Sequence, residues 1–573
     1  MKRKFVFLLS LLVIVLFAGF DLKAQETPLG ELRIWKDSTG QFSIEATFVR
    51  LSGGQVVLQQ KDETEISVPL SKLSQPDRTY VQVQQRTTFV SVTPSQNLAA
   101  IVQGAAPYTT LVLEPGSYKL RPQPPYDQAV LIESKKHLTL TSRDAGMTRI
   151  ELSPDTKFGF FIASNNSDLV IQNLTIRGNP AAEPNTTAIG NYSGSTNVCR
   201  VRFSGLRVEK ITVGISVGTD LTGVYEDVVI RDNTVSQTIG TEAGYGYGIH
   251  LSNAKNVMVS GNVIEEATRH SIYVARAAPG GNVHVENNLI INHDIEGKNP
   301  RWYNPAVVCA RSSSVTISHN LIVDPRAIGI SVEGDEILNR PTKDNKLINN
   351  RILGANYVGI WVVSGNSSVG LGNNIDLNPK PEHPEWCVKV SSFDYPNGKP
   401  TDSSLVEPDA RWKQASHVAK LGGRLFVISD GVLDMVTPDS WAYETCPQLW
   451  DDVRGMVAVE NAADNSAGRL YVITATGLHE VNPSGWGIRT HQGNFSNASF
   501  VTAAAGYIFL LQGDVLHRFS PRSLDAEPQT ARWEQARWIY AAGSRLFLAS
   551  DRGRFLLDPA TLEGVPFGKS QQD

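Results

Sequence analysis

Apolar and polar residues alternate over short runs along most of the chain, and the middle of it repeats one such run. Val228-Val229-Ile230-Arg231-Asp232-Asn233, Val257-Met258-Val259-Ser260-Gly261-Asn262, Val283-His284-Val285-Glu286-Asn287-Asn288, Val315-Thr316-Ile317-Ser318-His319-Asn320 and Lys346-Leu347-Ile348-Asn349-Asn350 are versions of it. Leu169-Val170-Ile171-Gln172-Asn173 reads as an earlier copy. From Asn233 to Asn350 the closing asparagines are 29, 26, 32 and 30 residues apart. Between the copies lies a second strand, as in Gly248-Ile249-His250-Leu251 and Ser271-Ile272-Tyr273-Val274. A period near thirty with two or three strands predicts one solenoid coil per repeat, each burying its apolar face against the next. The asparagines then sit at a corner, where amides stacked at the strand spacing hydrogen-bond one another. This pattern spans residues 91–377, and the proline-rich stretch 378–409 that breaks it is predicted to be a linker.

Two other patterns flank the solenoid. Over residues 31–85 alternating apolar positions are punctuated by glycine turns, which predicts short antiparallel strands in a small barrel. Over 410–568 a strand recurs at Arg424-Leu425-Phe426-Val427, Arg469-Leu470-Tyr471-Val472, Tyr507-Ile508-Phe509-Leu510 and Arg545-Leu546-Phe547-Leu548. Pro438, Pro483, Pro521 and Pro559 follow them, and both series advance by 45, 38 and 38 residues. Four such units predict β-propeller-like blades. The fold class is therefore all-β in three parts.

The N-terminus changes the setting. Lys2, Arg3 and Lys4 precede a long apolar run from Phe5 to Phe20, and Ala24 stands just before Gln25. That is the pattern of a cleaved signal peptide over residues 1–24, and it predicts export to the periplasm, cell surface or medium. No second apolar stretch approaches spanning length, so no integral membrane domain is expected beyond the signal segment. A chain of 573 residues needs several cores, and 41% apolar with 19% charged residues is ordinary for globular domains. With a net charge of −4 and no basic run after Lys4, nucleic acid is not an expected partner. Cys199, Cys309, Cys387 and Cys446 show no CxxC spacing, and Cys199 and Cys309 are expected to be buried free thiols.

Three resemblances follow from these residues. Trp35-Lys36-Asp37-Ser38-Thr39-Gly40-Gln41-Phe42, Ala46-Thr47-Phe48, Val68-Pro69-Leu70 and Leu73-Ser74 with Asp77, Tyr80 and Val81 resemble the SLA1 homology domain 1, an SH3-like module. That likeness implies a peptide or protein ligand. The family's founder is a cytoskeletal adaptor, and export removes this copy from such partners, so a spacer role is the other expectation. Leu111-Val112-Leu113-Glu114-Pro115-Gly116 resembles the opening of the pectin-lyase-like right-handed parallel β-helix superfamily. The C-terminal repeats resemble tectonin-like propeller blades, in a small ring or in an incomplete one that a partner completes.

Candidate chemistry lies in the solenoid. Insertions at Gly178 to Asn197, Ser236 to Tyr247, Glu265 to His270 and Asn292 to Pro305 follow one corner and wall a groove. The next strand offers Ser216, His250, Tyr273, Val308, Ser331 and Trp361 at stacked outward positions. His250, Arg269, His270 and Tyr273 are the candidate catalytic residues; Arg276, His293, Arg301, Trp302, Tyr303 and Arg311 are the candidate substrate-binding ones. Elimination at a uronate needs a cation for the carboxylate, a base for the C5 proton and an acid for the leaving oxygen, which arginine, histidine and tyrosine supply. Arg269-His270-Ser271-Ile272-Tyr273 is similar to the R-H-x-I-Y segment of lyase-like β-helix proteins. The hydrolase and epimerase motifs of the superfamily are missing. No metal ligand set or cofactor is expected, and calcium finds no aspartate cluster to support it. Two functions remain open: a polysaccharide lyase-like enzyme on an acidic glycan, or a non-catalytic adhesin or scaffold. Tyr245-Gly246-Tyr247-Gly248 reads as turn chemistry, with aromatic stacking on a sugar as the other reading.

Overall fold

The computed structural model describes residues 33–568 except 61–63, 145, 180–185, 192–196, 219–224, 241–244, 278–279, 293–303, 335–341, 364–366, 378–387, 392–403, 407, 460–467, 522–523 and 525–527. The chain divides into two compact units, one up to Gln85 and one from Arg86 onward.

In the first unit the strands Arg33–Lys36, Ser43–Ser52, Gln55–Gln60 and Glu65–Pro69 pair antiparallel in chain order. The last motif is not part of a strand-only barrel: Gln75–Arg86 is a helix. Ser74 Oγ accepts from the Asp77 N–H at its N-terminus, the capping bond that starts helices. Asp77 is 2% exposed and is held by Arg33 Nη2 at 2.7 Å, the Lys36 N–H at 2.8 Å and Ser74 Oγ at 2.7 Å. Trp35 is buried and donates to the Ala46 carbonyl at 2.9 Å. The motif residues are thus the packing and capping residues of this small core.

The second unit is a parallel β-solenoid of three stacked sheets, with twelve, ten and ten strands. Its first sheet runs from Thr88–Val92 to Ser404–Val406, its second from Gly116–Leu120 to Asn374–Leu377, its third from Gln128–Ile132 to Val388–Ser391. The helix Leu98–Gly104 closes the N-terminal end by burying Leu98 and Val102 in the core. The stretch expected to be a linker therefore contributes Val388–Ser391 and Ser404–Val406 to the solenoid. Likewise Gly178 to Asn197 is no plain insertion, because Thr187–Gly190 pairs within the third sheet.

The asparagine ladder turns the corner between the first and second sheets. Nδ2 of Asn233, Asn262, Asn288, Asn320 and Asn350 donates to Oδ1 of the next rung at 2.9–3.0 Å, ending on Asn373. Each also donates to a strand carbonyl, as Asn262 does to Ile230 at 2.9 Å. Asn173 is not a rung. It pairs in register with Gly205 and Asp232, one residue earlier, where the backbone is left-handed (φ 55°) and Asn, Asp and Gly are favoured.

The C-terminal region contains the four repeats as four separate four-stranded antiparallel sheets, and a propeller ring is not what the pairing shows. Their first strands, Ala415–Leu421, Val453–Val459, Ala498–Ala504 and Ala536–Ala542, follow one another side by side. This array lies on the outer face of the solenoid's second sheet. Val263, Leu289, Ile291, Leu321 and Val323 pack there with Trp538, Ala542, Phe547 and Ala549. Arg545 donates to Thr234 Oγ1 at 2.8 Å, the Asn233 carbonyl at 3.1 Å and the Gly261 carbonyl at 2.8 Å. Arg554 pairs with buried Glu265 at 2.5 Å. A side chain at Gly261 would reach 2.9 Å from the Gly543 Cα, so glycine is needed for the approach. Cys309 and Cys446 are buried free thiols, whereas Cys199 is a partly exposed one; Cys387 lies outside the described residues. No described helix is long and apolar enough to cross a membrane.

Candidate functional site

The third sheet carries the candidate residues in the expected register. Ser216 faces His250, His250 faces Tyr273, Tyr273 faces Val308, Val308 faces Ser331, and Ser331 faces Trp361. Val308, Ser331 and Trp361 are, however, 2%, 1% and 6% exposed, so the open part of this column is Ser216, His250 and Tyr273.

His250 and Tyr273 belong to a two-by-two array of rings. Tyr247 pairs with His270 across the same two strands, and their rings stack at 5.5 Å and 6°. His250 and Tyr273 stack at 5.3 Å and 28°, and the remaining contacts span 5.4–5.6 Å. Strict alternation would put Tyr247 on the inner face with Ile249. At Gly248 an added Cβ would lie 2.5 Å from the Ser271 carbonyl and 2.8 Å from core Ile264, so position 248 faces the core and the alternation breaks there. The rings of Tyr247 and His250 accordingly meet on one face, as do those of His270 and Tyr273.

Polar contacts fix the array. Arg269 donates Nη1–H to Tyr247 Oη at 2.7 Å, with its guanidinium 5.4 Å from the ring centre. His270 is buried, and its Nδ1 lies 2.9 Å from the Pro305 carbonyl. A carbonyl only accepts, so His270 Nδ1 carries a proton and donates it to this bond. His250 Nδ1 is 3.1 Å from Ser216 Oγ. Burial pushes the Tyr273 phenol above its usual range, helped by the Glu333 carboxylate and opposed by Arg311, Arg269 and Arg276. Arg276 and Arg311 stand one coil apart at the far end of the strand, linked by the Arg276 N–H to Ala310 carbonyl bond at 3.0 Å.

His250, Arg269, His270 and Tyr273 are thus brought together, with Arg276 and Arg311 close enough to act on Tyr273. His293, Arg301, Trp302 and Tyr303 lie outside the described residues. The turn reading of the sequence does not place Tyr247 in this array, though its sugar-stacking alternative names the residue, and nothing in the sequence pattern singles out Glu333, which accepts from Ser331 Oγ at 2.6 Å. Among the described residues no group of three His, Cys, Asp or Glu is placed to hold a metal ion.

Comparisons with known proteins follow this division. Residues 23–88 match the family SLA1 homology domain 1, and residues 158–378 match the right handed beta helix region. Set against curated proteins, the sequence finds no match. Among solved structures, the chain is similar to an alginate lyase from a Paenibacillus species, at 16% identity over 51% of this chain and 98% of that one, with a TM-score of 0.34. It is also similar to the A-module of an Azotobacter vinelandii mannuronan C-5 epimerase (15% identity, 49% and 82% covered, TM-score 0.32). A third is the catalytic unit of an alpha-1,3-glucanase from Streptomyces thermodiastaticus (13% identity, 56% and 68% covered, TM-score 0.32). These neighbours are carbohydrate-active proteins, and none of them assigns a role to a residue of this chain.

Proposed function

We propose that the chain is an exported carbohydrate-active β-helix protein that cleaves an acidic polysaccharide by elimination at the ring array. The carrying observation is that a histidine and a tyrosine, His250 and Tyr273, meet on one outward face with three arginines around them. In this reading His250 takes the C5 proton of a uronate, the C4–O bond breaks as the C4–C5 double bond forms, and Tyr273 protonates the leaving oxygen. A tyrosine phenol is protonated at neutral pH, so Tyr273 can start as the proton donor. Arg269 steadies the carboxylate as charge builds on it. His270 is a positioning residue: buried and tied to Pro305, it stacks on the Tyr247 ring that holds Arg269. Arg276 and Arg311 extend the cationic side of the groove, and His293, Arg301, Trp302 and Tyr303 are proposed as further substrate contacts. The N-terminal module serves as a spacer or peptide-binding unit.

A binding-only adhesin would use the same aromatic faces and arginines without bond cleavage. Purified protein incubated with a panel of uronate polysaccharides and a neutral glucan separates the two. Elimination gives a growing ultraviolet absorbance from unsaturated uronate with the acidic chains alone. Tight binding without that product replaces the enzyme by the adhesin.

A further inference from the structure

Away from the ring array, a cleft of about 570 Å³ opens between the ladder corner of the solenoid and the first strands of the C-terminal sheets. Its size falls within the roughly 300–1,000 Å³ of small-ligand sites. Arg351, the first residue of the strand Arg351–Ala355, lines it with its guanidinium 3.6 Å from the centre of the Phe500 ring. A guanidinium carries five N–H donors in a fixed fork. Among the described residues none accepts from the Arg351 side chain, its Nε is shielded from solvent, and no carboxylate forms an ion pair with it. Burial pulls its pKa below the usual arginine range, and Asp376 only partly offsets this. The other cations are engaged: Lys420 with Glu286 at 2.7 Å and Arg454 with Asp452 at 2.6 Å. A shielded cation without hydrogen-bond partners is costly unless an anion meets it, and a fork stacked on an aromatic face presents its edge for bidentate pairing.

The rest of the lining mixes apolar residues, among them Leu321, Val418, Met456, Val501 and Ile539, with polar ones, including the Glu286 that Lys420 neutralises. Ser416 and Ser499 donate to the Ile428 and Leu511 carbonyls at 3.3 Å and Thr502 accepts from the Ala541 N–H at 3.1 Å, so their hydroxyl oxygens offer acceptor lone pairs, and the exposed amide of Asn374 stands beside Arg351 in the register of the neighbouring coil. Phe500 and Tyr540 add ring faces. Hydroxyls, amides and aromatic faces around one fork suit a polyhydroxylated ring bearing a negative group.

We infer that this cleft is a second binding site that takes a short anionic sugar, its carboxylate or phosphate seated on Arg351 and its hydroxyls on Ser416, Ser499, Thr502 and Asn374. The site is independent of the reaction assigned to the ring array. It also gives the C-terminal sheets a function that the solenoid cannot supply alone, because one wall comes from each.

The test is calorimetric titration of the full chain with a glucuronate-containing disaccharide, glucose 6-phosphate and cellobiose. Wild type, Arg351→Met, Arg351→Lys and Tyr273→Phe are compared, with thermal melts for each. At least one anionic probe is expected to bind about tenfold or more tighter than cellobiose. Which of the two does so identifies the anionic group. Arg351→Met should lose that preference without a lower melting temperature, since a methionine meets the Phe500 ring at no desolvation cost. Arg351→Lys keeps the charge but not the fork and should retain a weakened preference, which settles the matter even if the methionine variant misfolds. Tyr273→Phe should bind as wild type. Equal affinity for charged and neutral probes, unchanged binding in both Arg351 variants, or binding abolished by Tyr273→Phe would each overturn the inference.

Discussion

The Tyr540 phenol donates its proton to the His319 carbonyl at 2.6 Å, joining the last C-terminal sheet to the left-handed column beside the asparagine ladder. The two residues are 221 positions apart. Tyr540 is also pushed well above the usual tyrosine range by burial, so this bond is made by a neutral phenol deep in the joint. The joint buries both faces of the middle strands of the second sheet, Val263–Glu265, Leu289–Ile291 and Leu321–Val323.

Leu289 reports on that joint. It is 0% exposed and faces outward from the solenoid into the cluster with Trp538 and Phe547. Leu289→Asp would be nearly neutral on a solvated face. Here it places a carboxylate among apolar side chains, and a loss of at least about 3 kcal/mol is expected in chemical denaturation.

The ladder should be as sensitive. Asn262 accepts from the Asn233 N–H and Nδ2, and donates to Ile230 and Asn288. Asn262→Ala strands buried groups on both neighbouring coils, so a loss of about 1–3 kcal/mol is expected in thermal or denaturant melts. A melt like that of wild type would contradict the corner's role.

His319 supplies a pH test. Burial pulls its pKa from 6.5 down to about 4, with Glu286 opposing and Lys420 assisting. The unfolded imidazole takes up a proton below about 6.5 and the folded one only below about 4, so acidification through that window favours unfolding. The contribution is on the order of 1–3 kcal/mol. Asn287 and Asn349 hold the same left-handed position in adjacent coils, so His319→Asn fits the backbone. Its melting temperature should fall less than that of wild type between pH 6.5 and 4; parallel curves would contradict the assignment.

The solenoid was legible because its signal is periodic: the asparagines and the outward column Ser216, His250 and Tyr273 are spaced by whole coils, and stacking preserves that spacing. What was not legible depends on contacts between distant segments or on a local break in alternation. Leu289-Ile290-Ile291 and Leu321-Ile322-Val323 are continuous apolar runs, the mark of a strand buried on both faces, yet the residues covering them come some 250 positions later. The place of Tyr247 in the array was hidden by the break in alternation at Gly248, whose added Cβ would meet core Ile264. Helix Gln75–Arg86 was masked by the strand pattern before it, although Ser74 and Asp77 carry a capping signal.

The most direct test of the ring array is one rate comparison. On an acidic polysaccharide that the wild type cleaves, the initial rate of unsaturated uronate formation is measured for wild type and Tyr273→Phe, with melts to verify folding. Removal of the phenol oxygen should leave the stacked ring beside His250 and lower the rate by roughly 10²–10⁴-fold. A Tyr273→Phe protein that turns over at the wild-type rate would contradict the placement of the active centre at this array.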